Sequence, residues 1–417
     1  MTARLLHLVP AVAIATGPLA AADVPTGMPS SIYNTSSNQH YLQGSLLIDA
    51  LRQNRYRPGA ADPDVSGMWI RAEYGAKIEL DDKLELTMTV AYDAEAGDST
   101  EDEGLVAGAD GGEVVMDDAW AVFKRFLHPT LDFEVGRMPV AWNLRQDHGA
   151  FLYDSRADSP DVTSWDGVRA SFDIENWTFR PFYYWFDLIN ERRGVDPGDS
   201  RGRHEDDNYL YGIVVDWQPD SAVDNEIFIT AAYTVANNVR FGAIDDPLVG
   251  DRITTWSLGT EWKMASGWEI YGEYAQQDGN LDDGREVDAR GYYGGATWRV
   301  PVGGRLDRAA INLQYDHLDG DDGGSDFGAF INPYEAVSDT LIVEHERYGE
   351  LSRLLTGNLD AYKTRLEWVF VPRSNFRVQA TGAQYNIPDP APGNDDDFGL
   401  ELDLEMSWDY NYYTTFT

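Results

Sequence analysis

Apolar and polar residues alternate along most of this chain, and the alternation is clearest in two neighbouring segments. In Trp165–Ile174 every second residue from Val168 onward is apolar, and the residues between them include Arg169 and Asp173. The alternation resumes in Trp177–Ile189 after a connection of only two residues. Because successive side chains of a β-strand point to opposite faces, each segment has one apolar face and one charged face. The pattern predicts a β-hairpin whose two faces meet different surroundings.

The same alternation recurs in about sixteen segments, each near the roughly ten residues of a membrane-spanning strand. Short connections such as Asp81–Lys83 and Ala265–Gly267 alternate with long ones. Tight turns at one end and long loops at the other are typical of outer-membrane barrels, whereas a soluble β-sandwich has no reason to keep this order. We therefore predict an all-β fold, a transmembrane antiparallel up-and-down β-barrel of about 16–18 strands with long external loops and short periplasmic turns. The long connections are predicted at Asn54–Met68, Ala96–Asp117, Pro139–Ser164, Asn190–Asp207, Asn237–Ile253, Asp278–Asp288 and Asp319–Leu359.

The first 22 residues have the pattern of a secretory signal peptide. Arg4 supplies a positive charge, Leu5–Leu19 is mostly apolar, and three alanines precede Asp23. A membrane anchor is the weaker interpretation, because prolines and a glycine interrupt a run already short for a span. The predicted organisation is a signal peptide over 1–22, a short N-terminal periplasmic segment over 23–42 and a barrel over 43–417. Such a chain is expected in the outer membrane of a Gram-negative-type bacterium.

The composition agrees with a barrel and excludes one class of partner. The chain carries 71 acidic and 32 basic residues, a formal net charge of −39 at pH 7, which argues against binding to nucleic acid. The 13 Trp, 23 Tyr and 16 Phe residues suit a wall in which every second residue faces lipid and aromatic girdles mark the rims. The absence of cysteine from an exported chain is mild support for the same fold.

No sequence motif indicates an enzyme or a cofactor. The chain has no H-E-x-x-H, G-x-S-x-G or P-loop motif and no cysteine nucleophile. The densest group around a histidine, His345 between Glu344 and Glu346, lies in a long predicted connection. Acidic, glycine-containing stretches such as Asp319–Asp326 offer oxygens to Ca²⁺, but none has the EF-hand spacing, and solvated loops are the simpler interpretation. We therefore predict a non-enzymatic protein without a cofactor.

The charged positions of the alternation are predicted to face the interior of the barrel, because Arg or Lys on the lipid face at mid-depth costs about 2–4 kcal/mol. Two interpretations of these residues stay open. Inward arginines can pair with inward carboxylates and brace the wall, or some of them can attract anions, since rings of Arg or Lys set anion selectivity. Basic residues kept in the interior of so acidic a chain favour the second interpretation. The lumen-facing basic residues that the alternation predicts to line the solute path are Arg71, Lys77, Arg169, Arg180, Lys263, Lys363, Arg365 and Arg377.

Two short motifs carry a resemblance to a known family. The segment Val135–Trp142, with the letters V-G-R-M-P-V-A-W, is followed by the D-G-V-R strand within Ser164–Phe172. This arrangement resembles the alginate export family of outer-membrane barrels, and Phe327–Pro333 is similar to that family's long late loop. Residue by residue, Arg137 and Arg169 match the two family arginines, so the resemblance adds Arg137 to the residues predicted to line the solute path. A G-R motif followed by an aromatic residue also occurs in phosphate-selective porins, the closest competitor.

The resemblance implies a monomeric barrel whose arginines and lysines line a path for a polyuronate or a similar anion. The chain departs from that family in two ways. The family barrel usually has eighteen strands, whereas the alternation gives about sixteen in this chain. The end of the chain, Tyr410–Thr417, has the pattern of a turn and the opening of another outbound strand. An unclosed barrel would expose a bare sheet edge to lipid, so we expect the sequence to lack its last strands.

The sequence therefore predicts an outer-membrane channel for the passive passage of hydrophilic, and more specifically anionic, solutes, in the manner of alginate export. A general or phosphate-selective porin is the first alternative, and a structural or adhesive barrel with ligand-binding loops is the second. The predicted partners are outer-membrane lipid, lipopolysaccharide and an anionic solute or polysaccharide. The barrel is expected to be a monomer if it is alginate-export-like and a trimer if it is a general porin.

Overall fold

A computed structural model of the chain describes residues 38–53, 65–80, 82–98, 113–139, 164–185, 209–219, 225–242, 247–300, 302, 306–321, 324–331, 358–370, 376–388, 397–411 and 414–416. The predicted signal peptide and the group around His345 lie outside these residues. Within them, no helix is long and apolar enough to cross a membrane.

Seventeen strands follow one another along the described residues. They are β1 Asn38–Gln53, β2 Val65–Leu80, β3 Leu84–Asp98, β4 Glu113–Phe123, β5 Leu131–Pro139, β6 Ser164–Ile174, β7 Trp177–Trp185, β8 Tyr209–Trp217, β9 Asn225–Gly242, β10 Pro247–Met264, β11 Trp268–Leu281, β12 Glu286–Val300, β13 Leu306–Leu318, β14 Leu359–Phe370, β15 Phe376–Asn386, β16 Asp397–Asn411 and β17 Thr414–Phe416.

Each strand pairs antiparallel with the next one along the chain, so the strands form a single up-and-down sheet without a crossover. The described pairings run from β1 to β17 and do not join these two strands, so the sheet is open over the part of the chain that is described. The all-β, antiparallel, up-and-down prediction and the predicted strand number are confirmed. β1 begins at Asn38, earlier than the predicted start of the barrel at position 43.

Two of the predicted long connections are strands for most of their length. β9 and β10 extend toward each other and pair from Gly242 and Pro247 inward, with four residues, 243–246, between them. β11 and β12 are joined by 282–285, where the Arg285 backbone N–H donates to Oδ1 of Asp283. That hydrogen bond lowers the pKa of the Asp283 carboxyl. These extensions contain polar residues, so the alternation of apolar and polar positions does not reveal them as strands. A pair of strands in contact with water needs no apolar face.

The outward face of the sheet carries two tiers of aromatic side chains separated by an aliphatic band. On six strands, a Trp in the lower tier lies six residues from a Tyr or Trp in the upper tier, a span of about 20 Å at roughly 3.3 Å per residue. Leu258 and Leu313 lie between the tiers, and their side chains are 54% and 56% exposed. The pairs are Trp177 and Tyr183, Trp217 and Tyr211, Trp262 and Trp256, Trp268 and Tyr274, Trp298 and Tyr292, and Trp368 and Tyr362.

Ring contacts between neighbouring strands make each tier continuous over part of the wall. In the lower tier, beside the short turns, the ring centroids of Trp268 and Trp298 lie 5.8 Å apart. In the upper tier, Tyr315 and Tyr362 lie 4.8 Å apart. An exposed apolar band between two aromatic girdles is the outward surface that a barrel in lipid requires.

The inward face is polar near the short turns and packed with apolar and aromatic side chains farther along the strands. Aromatic rings there lie flat against glycine positions of the neighbouring strand. A Cβ added to Gly167 would lie 2.5 Å from Cδ1 of Tyr184, so only glycine leaves room for that ring. Tyr184 is fully buried at this position.

Candidate solute pathway

Ion pairs follow the inner wall close to the ends of the strands that the short turns join. Their members come from β2 to β15 and lie on the inward face of each strand or in an adjoining turn. We call this set the ion-pair belt. It consists of Lys77, Glu85, Lys124, Glu134, Arg169, Arg180, Asp216, Glu261, Lys263, Glu269, Arg299, Arg308, Glu367 and Arg377.

Arg169 makes the best-formed pair of the belt. It stands directly opposite Glu134 in the register of β5 and β6. Its Nε lies 3.1 Å from Oε1 and its Nη2 lies 2.6 Å from Oε2 of that carboxylate, so the guanidinium donates two parallel hydrogen bonds. Both side chains are largely buried. This two-point geometry fixes the orientation of the guanidinium as well as neutralising the carboxylate.

Neighbouring members of the belt are paired in the same way. Arg180 on β7 forms an ion pair with Asp216 on β8. Glu85 on β3 lies between two lysines, with its Oε1 2.6 Å from Nζ of Lys77 and its Oε2 2.8 Å from Nζ of Lys124. The hydrogen bond to Glu85 raises the pKa of the Lys124 ammonium, which lies in the turn after β4. Each inward cation of this stretch is thus held by a carboxylate of an adjacent element.

The belt is most deeply buried on β10 to β12. Nζ of Lys263 lies 2.9 Å from Oε1 of Glu261 and 3.5 Å from Oε1 of Glu269. Nη1 of Arg299 lies 2.6 Å from the other carboxylate oxygen of Glu269. The side chains of both glutamates are almost completely buried. Removing such charges from water is costly unless each one has a partner, and the two cations supply it.

On β13 to β15 the predicted basic residues lie together on the inner face. Nζ of Lys363 lies 2.5 Å from Oδ2 of Asp316 on β13. Arg365 stands opposite Asn312 on one side and Thr381 on the other. Arg377 shares Glu367 with Arg308, at 3.3 and 2.8 Å respectively. The side chain of Arg377 is 42% exposed, so this part of the wall presents cations on its inward face.

Arg137 is a correction to the predicted set. In β5 it has the parity of Phe133 and Val135, whereas Glu134 and Met138 alternate with it and face the interior. Its partner is Asp166, with Nη1 and Oδ2 3.8 Å apart. The family resemblance, rather than the alternation, is the basis of that prediction, and the strand period places the residue on the outward face. Arg71 lies in β2 opposite Asp93, and its side chain is outside the described part of the chain.

The second feature of the interior is a short segment of the connection between β13 and β14. Phe327–Ile331, which we call the docked segment, folds into the lumen, and Phe330 and Ile331 are almost completely buried. It packs with inward residues of β5 and β7 to β13 into two adjoining apolar clusters. We call these clusters the apolar layer. Its wall residues are Met138, Phe182, Tyr184, Leu210, Val214, Ala232, Ala236, Ile253, Tyr271, Ala275, Leu281, Val287, Ala289, Tyr293 and Leu318.

Backbone hydrogen bonds hold the docked segment against β11 and β12. The side-chain amide of Gln277 donates to the Ile331 carbonyl at 2.7 Å, and its Oε1 accepts from the Ile331 N–H at 2.8 Å. Phe327 forms a parallel bridge with Val287, and its N–H donates to the Glu286 carbonyl at 2.7 Å. The segment is therefore attached to the wall at both of its ends.

Phe330 and Arg285 complete the attachment. A Cβ added to Gly291 would lie 3.2 Å from Cε2 of Phe330, so the ring rests on a position without a side chain. Arg285, in the turn after β11, places its guanidinium carbon 5.2 Å from the ring centroid of Phe327. The same guanidinium lies 3.4 Å from Oδ2 of Asp321. The Asp321 carboxylate of the acidic loop therefore binds arginine. In the described residues, no group of His, Asp and Glu is arranged to hold a metal ion.

The alternation predicts five of the eight cations of the belt and gives no sign of the docked segment. Lys77, Arg169, Arg180, Lys263, Lys363, Arg365 and Arg377 have the inward parity that their strands predict. In the sequence, the docked segment is part of the Phe327–Pro333 loop motif and has no strand pattern of its own. Its signal is compositional, because the letters F-G-A-F-I follow directly on the acidic stretch Asp319–Asp326. An apolar run inside a loop otherwise rich in carboxylates is a run that needs burial.

The chain is similar to two solved structures from Pseudomonas aeruginosa. OccK9 (OpdG) is 14% identical, with a TM-score of 0.54 over 89% of this chain and 88% of that one. OccK11 (OpdR) is 12% identical, with a TM-score of 0.52 over 89% of this chain and 85% of that one. Both are outer-membrane porins. No protein-family model matches the sequence, and no curated protein matches it.

At this level of identity the similarity concerns the fold. It does not show the alginate export family. The single antiparallel sheet of the chain has its counterpart in these structures. The chain therefore has the fold of an outer-membrane β-barrel porin.

Proposed function

We propose that this chain is a passive outer-membrane channel for hydrophilic solutes. The observation that carries the proposal is the contrast between the two faces of one sheet. The outward face exposes aliphatic side chains between aromatic tiers, and the inward face holds a belt of charged residues. A wall of this kind conducts by pore radius and by the electric field of its lining groups, without a cofactor or an energy source.

The preference for anions is the finer part of the proposal. Its support is the group of cations on β13 to β15, where Arg308 and Arg377 are both about half exposed toward the interior. The other interpretation, in which inward charges brace the wall, gains support from the pairs of Arg169, Arg180 and Lys263. We assign bracing to these three and anion contact to the β13–β15 group. Selectivity then depends on the residues that keep contact with the solution.

Conductance across a planar bilayer tests the proposal. The folded full-length protein is expected to conduct steadily without a ligand, and a salt gradient is expected to give a reversal potential on the anion-selective side. The double variant Arg365→Gln with Arg377→Gln is expected to shift that potential toward cations, because two charges leave the lumen. Arg125→Gln is the matched control, since Arg125 lies in the turn after β4 and its side chain is 62% exposed there.

The outcomes separate the candidate functions. An unchanged reversal potential in the double variant contradicts the assignment of anion contact, and a cation-selective wild type contradicts the preference itself. Block of the current by uronate oligomers but not by phosphate supports an alginate-export-like role, and the reverse supports a phosphate-selective porin. A protein that folds in lipid and does not conduct is instead a structural or adhesive barrel.

A further inference from the structure

The docked segment leaves the wall at the end of β13, where His317 lies between two carboxylates. Nδ1 of the ring is 2.6 Å from Oδ1 of Asp360 on β14. Nε2 is 2.8 Å from Oδ1 of Asp319, the first residue after β13. An ionised carboxylate only accepts hydrogen bonds, so both contacts are hydrogen bonds only when both ring nitrogens carry protons. This bridge is therefore complete only with the imidazolium form of His317.

Asp319 links the imidazole bridge to the docked segment. Its backbone carbonyl accepts from the N–H of Phe330 at 3.0 Å, inside the segment. Its backbone N–H donates to the Arg290 carbonyl at 2.9 Å, and its Oδ2 accepts from the Arg290 N–H at 2.8 Å. A change in the position of Asp319 is thus carried directly to Phe330, whose ring lies on Gly291 in the lumen.

The groups around the ring come from every element packed against it. Tyr292 of β12 stacks on the imidazole with ring centroids 4.7 Å apart. Tyr315 of β13 donates to Oδ1 of Asp360 at 2.7 Å, the same oxygen that His317 contacts. Arg290 of β12 brings its Nε to 3.2 Å from Oδ2 of Asp319. Around the imidazole there are therefore two carboxylates, two phenols and one guanidinium.

We propose that protonated His317 locks the docked segment in the lumen and that its deprotonation releases the segment and widens the channel. A neutral ring has one nitrogen without a proton, and that lone pair faces a carboxylate oxygen at close range. One of the two bridging hydrogen bonds is then lost. The proposal rests on the proposed channel function and adds regulation of the channel by pH to it.

Single-channel conductance measured between about pH 5 and pH 9 is the first test, since histidine is the side chain that ordinarily titrates in this range. The wild type is expected to conduct less at the acidic end and more at the basic end. His317→Gln, which has no charge to lose, is expected to conduct at the higher level throughout. His128→Gln is the matched control, because His128 lies in an exposed turn and contacts Thr130 rather than the docked segment.

Access to the docked segment is the second test, and it does not depend on conduction. The chain has no cysteine, so single-cysteine variants report one site each. Ala329→Cys places a thiol in the docked segment, and Ser266→Cys places one in the exposed turn after β10. The ratio of their maleimide labelling rates removes the part of the pH dependence of thiol reactivity that the two sites share. Losing a hydrogen bond to a charged group is expected to raise this ratio about tenfold or more from the acidic to the basic end.

The labelling ratio decides the proposal. A ratio that rises with pH, and that is constant at its high value when His317→Gln is added, supports it. A ratio that is flat in the wild-type background, or that still rises in the His317→Gln background, overturns it. If the labelling ratio responds as expected and the protein does not conduct at any pH, the channel function is wrong and the histidine lock stands. If the protein conducts and the ratio is flat, the lock is wrong and the channel stands.

Discussion

The ion-pair belt and the apolar layer occupy the inner face of the same wall, and they are built in opposite ways. The belt joins residues that the strand register already places side by side, such as Arg169 and Glu134. The apolar layer depends on a segment that comes from a connection and packs against the inner face of β11 and β12. Gln277 contacts Ile331 although 54 residues separate them in the chain.

The difference determines how each region fails. The partners of most belt pairs are anchored in neighbouring strands, so they stay within reach of each other as long as the sheet is folded. The docked segment can leave the wall while the sheet stays folded, since local opening costs less than global unfolding. The belt is therefore expected to determine stability, and the docked segment is expected to determine the width of the channel.

Arg169→Ala is expected to have the largest effect on stability. The change leaves Glu134 buried without its two hydrogen bonds, and breaking one partner of a buried pair costs about 3–5 kcal/mol. Urea unfolding of the protein in lipid, followed by tryptophan fluorescence, measures the loss. Removing both partners, with Arg169→Ala and Glu134→Ala together, is expected to recover part of the loss, because no uncompensated charge is left. Equal losses in the single and double variants would contradict a pairing role for Arg169.

The face of each belt residue could be predicted from the sequence, because strand side chains alternate with a fixed period. Lys363 and Arg365 are each one position away from Tyr362 or Leu366 in the chain. In the structure the two basic residues lie on the inward face and the other two on the outward face, as the alternation predicts. The partner of each cation could not be predicted in the same way. Pairing depends on the register between strands, which an alternating sequence alone does not specify.

Arg137 is predicted to face the lumen from the family motif alone, whereas the strand period puts it on the outward face. The docked segment needed information that the alternation does not carry, because four of its five residues, all but Gly328, are buried by contacts with residues far away in the chain. The six-residue spacing of Trp and Tyr is a further signal in the sequence, since it indicates the height of the lipid-facing band.

Phe330→Ala is expected to have an intermediate effect on stability and a clear effect on conduction. Truncation of a fully buried Phe costs about 3–5 kcal/mol when the site stays closed. Here the docked segment can leave the wall instead, which limits the loss to about 1–3 kcal/mol. Urea unfolding measures the stability, and single-channel conductance is expected to increase in the same variant. Phe327→Leu, which keeps an apolar side chain beside Val287, is the control and is expected to change conductance less. A loss of 5 kcal/mol or so with unchanged conductance would mean that the segment is part of the wall rather than a lid.

Arg308→Ala is expected to have the smallest effect, although Arg308 belongs to the same belt as Arg169. Its Nε lies 2.8 Å from Oε1 of Glu367, but its side chain is 51% exposed, and pairs that contact water contribute roughly 0–1 kcal/mol. Moreover, Nε of Arg377 lies 3.3 Å from the other oxygen of Glu367, so the carboxylate keeps a cation after the change. Urea unfolding of Arg308→Ala, Arg377→Ala and the double variant measures this sharing. The double variant is expected to lose more than the sum of the two single losses, because only then is Glu367 left without either arginine. A loss from Arg308→Ala as large as that from Arg169→Ala would show that burial does not distinguish the members of the belt.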